Sequence, residues 1–240
     1  MDLEQLIDLF TENGAHKAEL VHQSDIVTST EFRDICASNS CGYYGKCWMC
    51  PPDAGQIGPM MEQLRSYPLG ILYQTIGQLE DSFDIEGMGA AGDHHVQVSQ
   101  RIQRAVKPLL GERMLHLTCG GCHLCPTCAK RDDQPCRHPE LALPSLESYG
   151  VDVYKTTRAT SLRYINGPDT VTTSAWCSFR RNDMPELTIH RGGDTKRIAF
   201  SGTPVLDDVL RMRLVSGHPC DQHVSQSSQT YFLGGIPCLN

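Results

Sequence analysis

The sequence predicts an α/β domain of the α+β kind, a compact mixed-sheet unit with two cysteine-rich loops and a short C-terminal extension of different character. Three observations predict it. Runs of helical spacing alternate with short runs of branched and aromatic residues. The apolar pattern breaks twice, each time into a cluster of cysteines. Past about residue 170 the composition shifts. A chain of 240 residues with 40% apolar content suffices for one good core, or one domain and a small appendage. The expected division is therefore residues 1–179 as the cysteine-rich domain and 180–240 as an atypical tail.

The elements follow in order. Leu3, Leu6, Ile7 and Phe10 have helical spacing, and Asn13-Gly14 ends a docking helix. A cysteine loop runs from Cys36 to Pro52. Ile57 to Leu64 reads as a short helix stopped by Pro68, and Gly70 to Gly77 as a strand. Gly87 to Gly92 lacks the preceding strand and the Lys-Ser/Thr ending of a phosphate loop, so a flexible loop is expected there. His94 to Leu110 is helical, with Val96, Ile102, Val106 and Leu109 on its inner side. Met114 to Thr118 is a strand leading into the second cysteine loop. Pro144 to Tyr149 is a brief helix closed by Gly150, and Val151 to Thr156 and Ser161 to Ile165 read as strands.

Several function classes are excluded by composition. No run of about 18 apolar residues is present, so no membrane span is expected. A net charge of -7 argues against nucleic acid, which asks for a basic face. The acidic amphipathic N-terminus has no signal-peptide character, which predicts a soluble, cytoplasmic protein whose 12 cysteines serve metal rather than disulfides.

The second loop, CGGCHLCPTCAKRDDQPC, places five cysteines within eighteen residues. Cys122, Cys125 and Cys128 have the C-x2-C-x2-C spacing that wraps three corners of an iron–sulfur cubane, and Cys136 supplies a fourth. Zinc more often takes two distant C-x2-C pairs. The first loop offers Cys36, Cys41, Cys47 and Cys50, followed by Pro51-Pro52. Four thiols hold a cubane fully; three leave one iron open to substrate. The competing reading is a set of buried thiols, or a zinc knuckle that staples a loop.

These residues resemble a known family, the predicted metal-binding proteins of domain of unknown function 2284. The resemblance is carried by Cys36, Cys41, Tyr44-Gly45, Trp48 and Cys50-Pro51-Pro52. In the second half it is carried by Gly121-Cys122, Cys125, Cys128, Cys136-Arg137, Pro139-Glu140, Pro144 to Glu147 and Gly150 to Val153. It spans roughly residues 20 to 179. It implies a cysteine-ligated metal or iron–sulfur protein with Cys36, Cys41, Cys50, Cys122, Cys125, Cys128 and Cys136 as ligands. Cys47 and Cys119 look like additions peculiar to this chain.

Family members end on a strand resembling Val-Thr-Tyr-Phe-Gly-Met-Val-Leu-Phe. Reading suitable codons for its last seven residues one base later gives Thr-Ser-Ala-Trp-Cys-Ser-Phe, the letters of Thr173 to Phe179. A single-base frameshift displacing the terminal strand is therefore expected. Met184-Pro185-Glu186 then resembles a new protein start. A hairpin follows (Leu187 to Arg191, Arg197 to Phe200), then a helix from Thr203 to Leu214 and Cys220, resembling the opening of a 2Fe-2S ferredoxin domain of corrinoid-activating proteins. The further cysteines of such a domain are missing.

Other candidates have plain readings. His94-His95 suits a solvated helix start, since adjacent residues leave a helix on different faces. His123 and His138 suit hydrogen bonds around the metal ligands. Glu147 is either an acid or base near the metal or a helix-start residue.

Three function classes emerge. The leading one is an iron–sulfur protein with one or two 4Fe-4S clusters in anaerobic redox metabolism, its partner a redox protein or a corrinoid methyl-transfer system. The second is an enzyme whose open iron binds a sulfur-containing substrate. The third is a zinc-stapled interaction module. Neither nucleic acid nor membrane is expected as a partner.

Overall fold

A computed structural model describes residues 3–111 and 114–180, and four short strands beyond them. The described domain is α+β, built on a four-stranded sheet of order β1-β2-β4-β3. The strands are β1 Lys17–His22, β2 Leu69–Gln78, β3 Leu115–Leu117 and β4 Thr170–Phe179. All three of its ladders are antiparallel, and Thr118 forms a parallel bridge to Ser145.

The period of two in the central strands divides the core into halves. Ile71 and Tyr73 of β2, with Ala175, Cys177 and Phe179 of β4, meet two helices, α1 (Leu3–Glu12) and α4 (Ile85–Leu110). Leu6 and Phe10 of α1, and Val98, Ile102 and Val106 of α4, fill that side. On the opposite face Leu72 and Trp176, with Leu115 and Leu117, meet α3 (Ile57–Arg65) and the segment Leu146–Val151. A short helix α2 (Phe32–Ala37) opens the first cysteine loop, and α5 (Val153–Thr157) follows the second.

Several expectations change. Val151 to Thr156 is not a strand: Asp152 accepts the Lys155 N–H at 2.9 Å and starts α5, so a helix cap overrides the alternating letters. Ser161 to Ile165 is irregular, because its backbone is held by side chains: Ser161 N–H reaches Glu19, and Gln74 reaches the Arg163 carbonyl. The glycine-rich run 87–92 is helical, the first turns of α4. Asp84 caps it by accepting the Gly87 N–H at 2.7 Å. Its small residues admit close packing, since a Cβ on Gly77 would lie 2.4 Å from Ala91 Cβ. Leu110, not Leu109, is the buried residue at the helix end.

The segment expected to carry a frameshift forms a strand of the sheet. Thr170–Phe179 pairs along its whole length with β2, and its letters alternate correctly between the two core halves. Beyond it, β5 (Leu187–Arg191) and β6 (Asp194–Ile198) form an antiparallel hairpin near the expected one, and β7 (Phe232–Leu233) pairs with β8 (Ile236–Pro237). The expected helix from Thr203 to Leu214, Cys220 and Cys238 lie outside the described residues.

Two histidines sit inside the helical half of the core. His95 is fully buried, not at a solvated helix start, with Nδ1 2.8 Å from Thr75 Oγ1. His116 lies between Tyr73 Oη at 2.7 Å and Gln103 Oε1 at 2.8 Å. Burial pulls both down to about 3. A histidine held neutral in the fold stabilises it fully above the unfolded value near 6.5, and that stability is lost as pH falls toward 3. At pH 5 each should cost about 2 kcal/mol. Urea midpoints measured from pH 7 to pH 5 should therefore fall steeply, and His95→Gln should flatten the slope.

Candidate metal centre

The first cysteine loop is a chain of tight turns. Cys36 is on α2, and positive φ at Asn39, Gly42 and Gly45 turns the backbone back until Gly45 N–H meets the Pro51 carbonyl at 2.9 Å. The Cys50 N–H closes on the Cys47 carbonyl at 3.0 Å. The second loop leaves β3 through Thr118, which the bridge to Ser145 anchors.

The two loops dock on each other. Trp48 Nε1 donates to the Gln134 carbonyl at 2.8 Å, Lys130 Nζ lies 4.4 Å from the Trp48 ring centroid, and the same ammonium reaches Asp53 Oδ1 at 2.9 Å. Gly121 lies under Tyr43, where a Cβ would come within 2.8 Å of the ring. His123 packs against the same ring, its centroid 5.3 Å from that of Tyr43 and its Nδ1 3.3 Å from Asp93.

This docking joins thiols that are far apart in sequence. Cys47, with 0% of its surface exposed, is buried where the loops meet, and its thiol interacts with those of Cys122 in the second loop and Cys50 in its own. The N–H groups of Met49 and Cys122 also point at it. These donors hold Cys47 far below the usual thiol range. The same contacts hold Cys50 and Cys122 as protonated donors. Cys136 adds its charge at Cys122.

Cys36, Cys41 and Cys50 line a cavity of about 310 Å³ together with Cys119, Tyr43 and Glu147. Burial, then the Glu147 charge, pushes Cys36 up to about 11. Cys125, Cys128 and Cys136 are half-buried free thiols in the second loop. Among the described residues no three ligating side chains already surround one point.

Two residues have larger roles here than the letters implied. Cys47, read as an addition to the family pattern, is the thiol that links the loops. Cys119, read as spare, is a buried wall of the cavity. Their signal in the sequence was their position inside the clusters and nothing more. Glu147 is a helix-start residue, the first of a 3-10 turn Glu147–Tyr149, and its carboxylate accepts from its own N–H, from Gly120 N–H at 3.4 Å and from Ser145, while burial pushes it up. Cys177 is a core residue, held at about 12 by burial.

The model of a family described as predicted metal-binding protein (DUF2284) matches residues 19–179. The chain belongs to this family. No curated protein and no solved structure matches it. The family match ends at Phe179, the last residue of β4, so it covers all of the described sheet except the first two residues of β1. Both cysteine loops, and the Trp48 clasp between them, lie inside it. Predicted metal binding is thus the family's description, and the cysteines of both loops lie within the matched residues.

Proposed function

We propose that this metal-binding protein is an iron–sulfur protein of anaerobic redox metabolism, holding one or two 4Fe-4S clusters between its cysteine loops. The observation that carries this reading is the contact of Cys47 with both Cys50 and Cys122, which makes the two motifs one thiol-rich region. The donor set fits such a group: it is soft sulfur throughout, and backbone N–H groups already point at one sulfur. Cys36, Cys41 and Cys50, joined by Cys47, would serve from the first loop, and Cys122, Cys125, Cys128 and Cys136 from the second. A bound cluster supplies one-electron chemistry at a potential tuned by hydrogen bonds to sulfur. The chain's own part is to hold the thiols, to release the protons of Cys36, Cys50 and Cys122 on loading, and to screen the site with Tyr43 and Trp48.

The enzyme reading is favoured by a separate observation, the cavity onto which the first-loop thiols open. A ligand set that faces a cavity admits a small substrate, a sulfur compound among them. We place the protein in the cytoplasm, where thiols stay reduced, with a redox protein as partner. A corrinoid methyl-transfer partner is supported only by the letters of the tail.

Anaerobic purification tests the reading. Iron, acid-labile sulfide, absorbance near about 400 nm and an EPR signal on reduction are expected. A colourless protein loaded with zinc overturns it in favour of a zinc staple.

A further inference from the structure

The outer edge of β4 is paired along only part of its length. β3 meets it from Trp176 to Ser178, and among the described residues no other strand pairs with it on that side. The parity of the ladder shows which groups this leaves. Leu79 N–H donates to the Asp169 carbonyl at 2.9 Å, so the odd-numbered residues here exchange their backbone bonds with β2. Even-numbered residues turn N–H and C=O the other way. Trp176 and Ser178 thus face β3, while Thr170, Thr172 and Ser174 face a side without a strand.

That open stretch borders a second cavity, of about 290 Å³, and all five residues 170–174 line it. Successive side chains of a strand leave on opposite faces, so five consecutive lining residues place the cavity along the strand's edge. The hydroxyls of the edge residues are engaged. Asn166 Nδ2 donates to Thr172 Oγ1 and Thr170 Oγ1 to the Gly167 carbonyl, both at 3.0 Å, and Gln74 Nε2 reaches Ser174 Oγ at 3.1 Å. What the stretch offers is its backbone. Its letters, TVTTS, are mostly branched and include neither the charge nor the proline that ordinarily blunts a strand edge.

The rim narrows the partner. Ile165 lines the cavity and is 70% exposed, and Phe83, beside the lining residue Ser82, is 85% exposed. Glu80, Asp81 and Asp169 are exposed and lie between lining residues in the chain. Arg163 is the single cation in segments 79–84 and 163–169. A row of peptide groups without a strand is matched by another peptide backbone, and acids beside exposed apolar side chains match a basic, branched segment.

We propose that the open edge of β4 binds an extended basic segment of a partner protein, which adds a strand beside residues 170–174 in the slot that β3 leaves. This interaction surface goes beyond the metal reading and does not depend on it.

Fluorescence anisotropy with fluorescein-labelled Val-Lys-Val-Thr-Val-Lys-Val tests the proposal on the anaerobically purified full chain. The palindromic order of this peptide serves either strand direction, and saturable binding is expected. The same peptide N-methylated at its three central residues keeps its charge and side chains but loses backbone donors on both edges. It should bind at least tenfold more weakly, as should the peptide with glutamate in place of both lysines. Ile165→Lys, at an exposed rim position, should weaken the parent peptide at least tenfold with the urea midpoint unchanged. Absence of saturable binding, or equal binding of the N-methylated peptide, overturns the proposal, and both results come from the wild-type chain. A dimer by light scattering that Ile165→Lys returns to monomer overturns it as well, by placing a second copy in the slot. Iron measured on the same sample decides the cluster and leaves the peptide result untouched, so the two readings fail separately.

Discussion

Trp176→Ala should lower the unfolding free energy by about 3–5 kcal/mol, a large share of the roughly 5 to 15 a domain commands. Trp176 is 1% exposed and the largest of the fully buried side chains. It stands on β4 opposite Leu72, and its ring covers Gly70 so closely that a Cβ there would fall 2.3 Å from the indole. Around it lie Leu117, which leads the chain into the second cysteine loop, and Leu146, which precedes Glu147. A cavity at this point loosens the supports of both loops. Urea denaturation measures the loss as a lower midpoint at unchanged slope. Trp176→Phe should cost much less, because it keeps an aromatic ring and removes an indole N–H that is buried without a partner. Gly70→Ala should destabilise by the opposite route, about 1–3 kcal/mol of overpacking against the same ring. A Trp176→Ala midpoint equal to that of wild type would remove β4 from the load of the core.

The role of Trp176 also shows where the letters spoke clearly and where they did not. Period two in Ile71 to Tyr73, and helical spacing in Leu6–Phe10 and Val98–Val106, were legible because each side chain is committed to one face by burial. Thr173 to Phe179 differs in letters from the family strand it is compared with, yet its alternation suits the slot between β2 and β3. The first turns of α4 were missed because glycine and alanine carry no apolar signal. Their role is close approach, and that depends on Gly77 in a distant strand. The cysteine clusters were legible as metal chemistry from spacing alone. Their relation to each other was not. It is set by Trp48, Lys130 and Asp53, an aromatic and an ion pair in two loops some eighty residues apart, and no local pattern joins them.

That relation makes Cys47→Ser the most informative change at the metal centre. Two readings of the site differ in what they ask of this residue. If each loop loads its metal alone, the family cysteines suffice, and Cys47 can be lost without consequence. If the loops load together, Cys47 is the sulfur between Cys50 and Cys122, and its loss separates the two halves. The contacts favour the second. Serine should leave the fold intact, since it is close to cysteine in size and its oxygen still accepts the N–H groups of Met49 and Cys122. Its harder, far less acidic oxygen is a poor substitute for thiolate toward iron or zinc. The expected result is an unchanged urea midpoint for the metal-free chain, with metal content after anaerobic loading lowered at least tenfold in affinity. Cys119→Ser provides the contrast: Cys119 is also buried, lines the cavity and feels the Glu147 charge, but no thiol partner acts on it, and its replacement should leave metal content unchanged. Full iron, sulfide and EPR intensity in Cys47→Ser would show that the loops load independently, and would return Cys47 to the role of a core thiol.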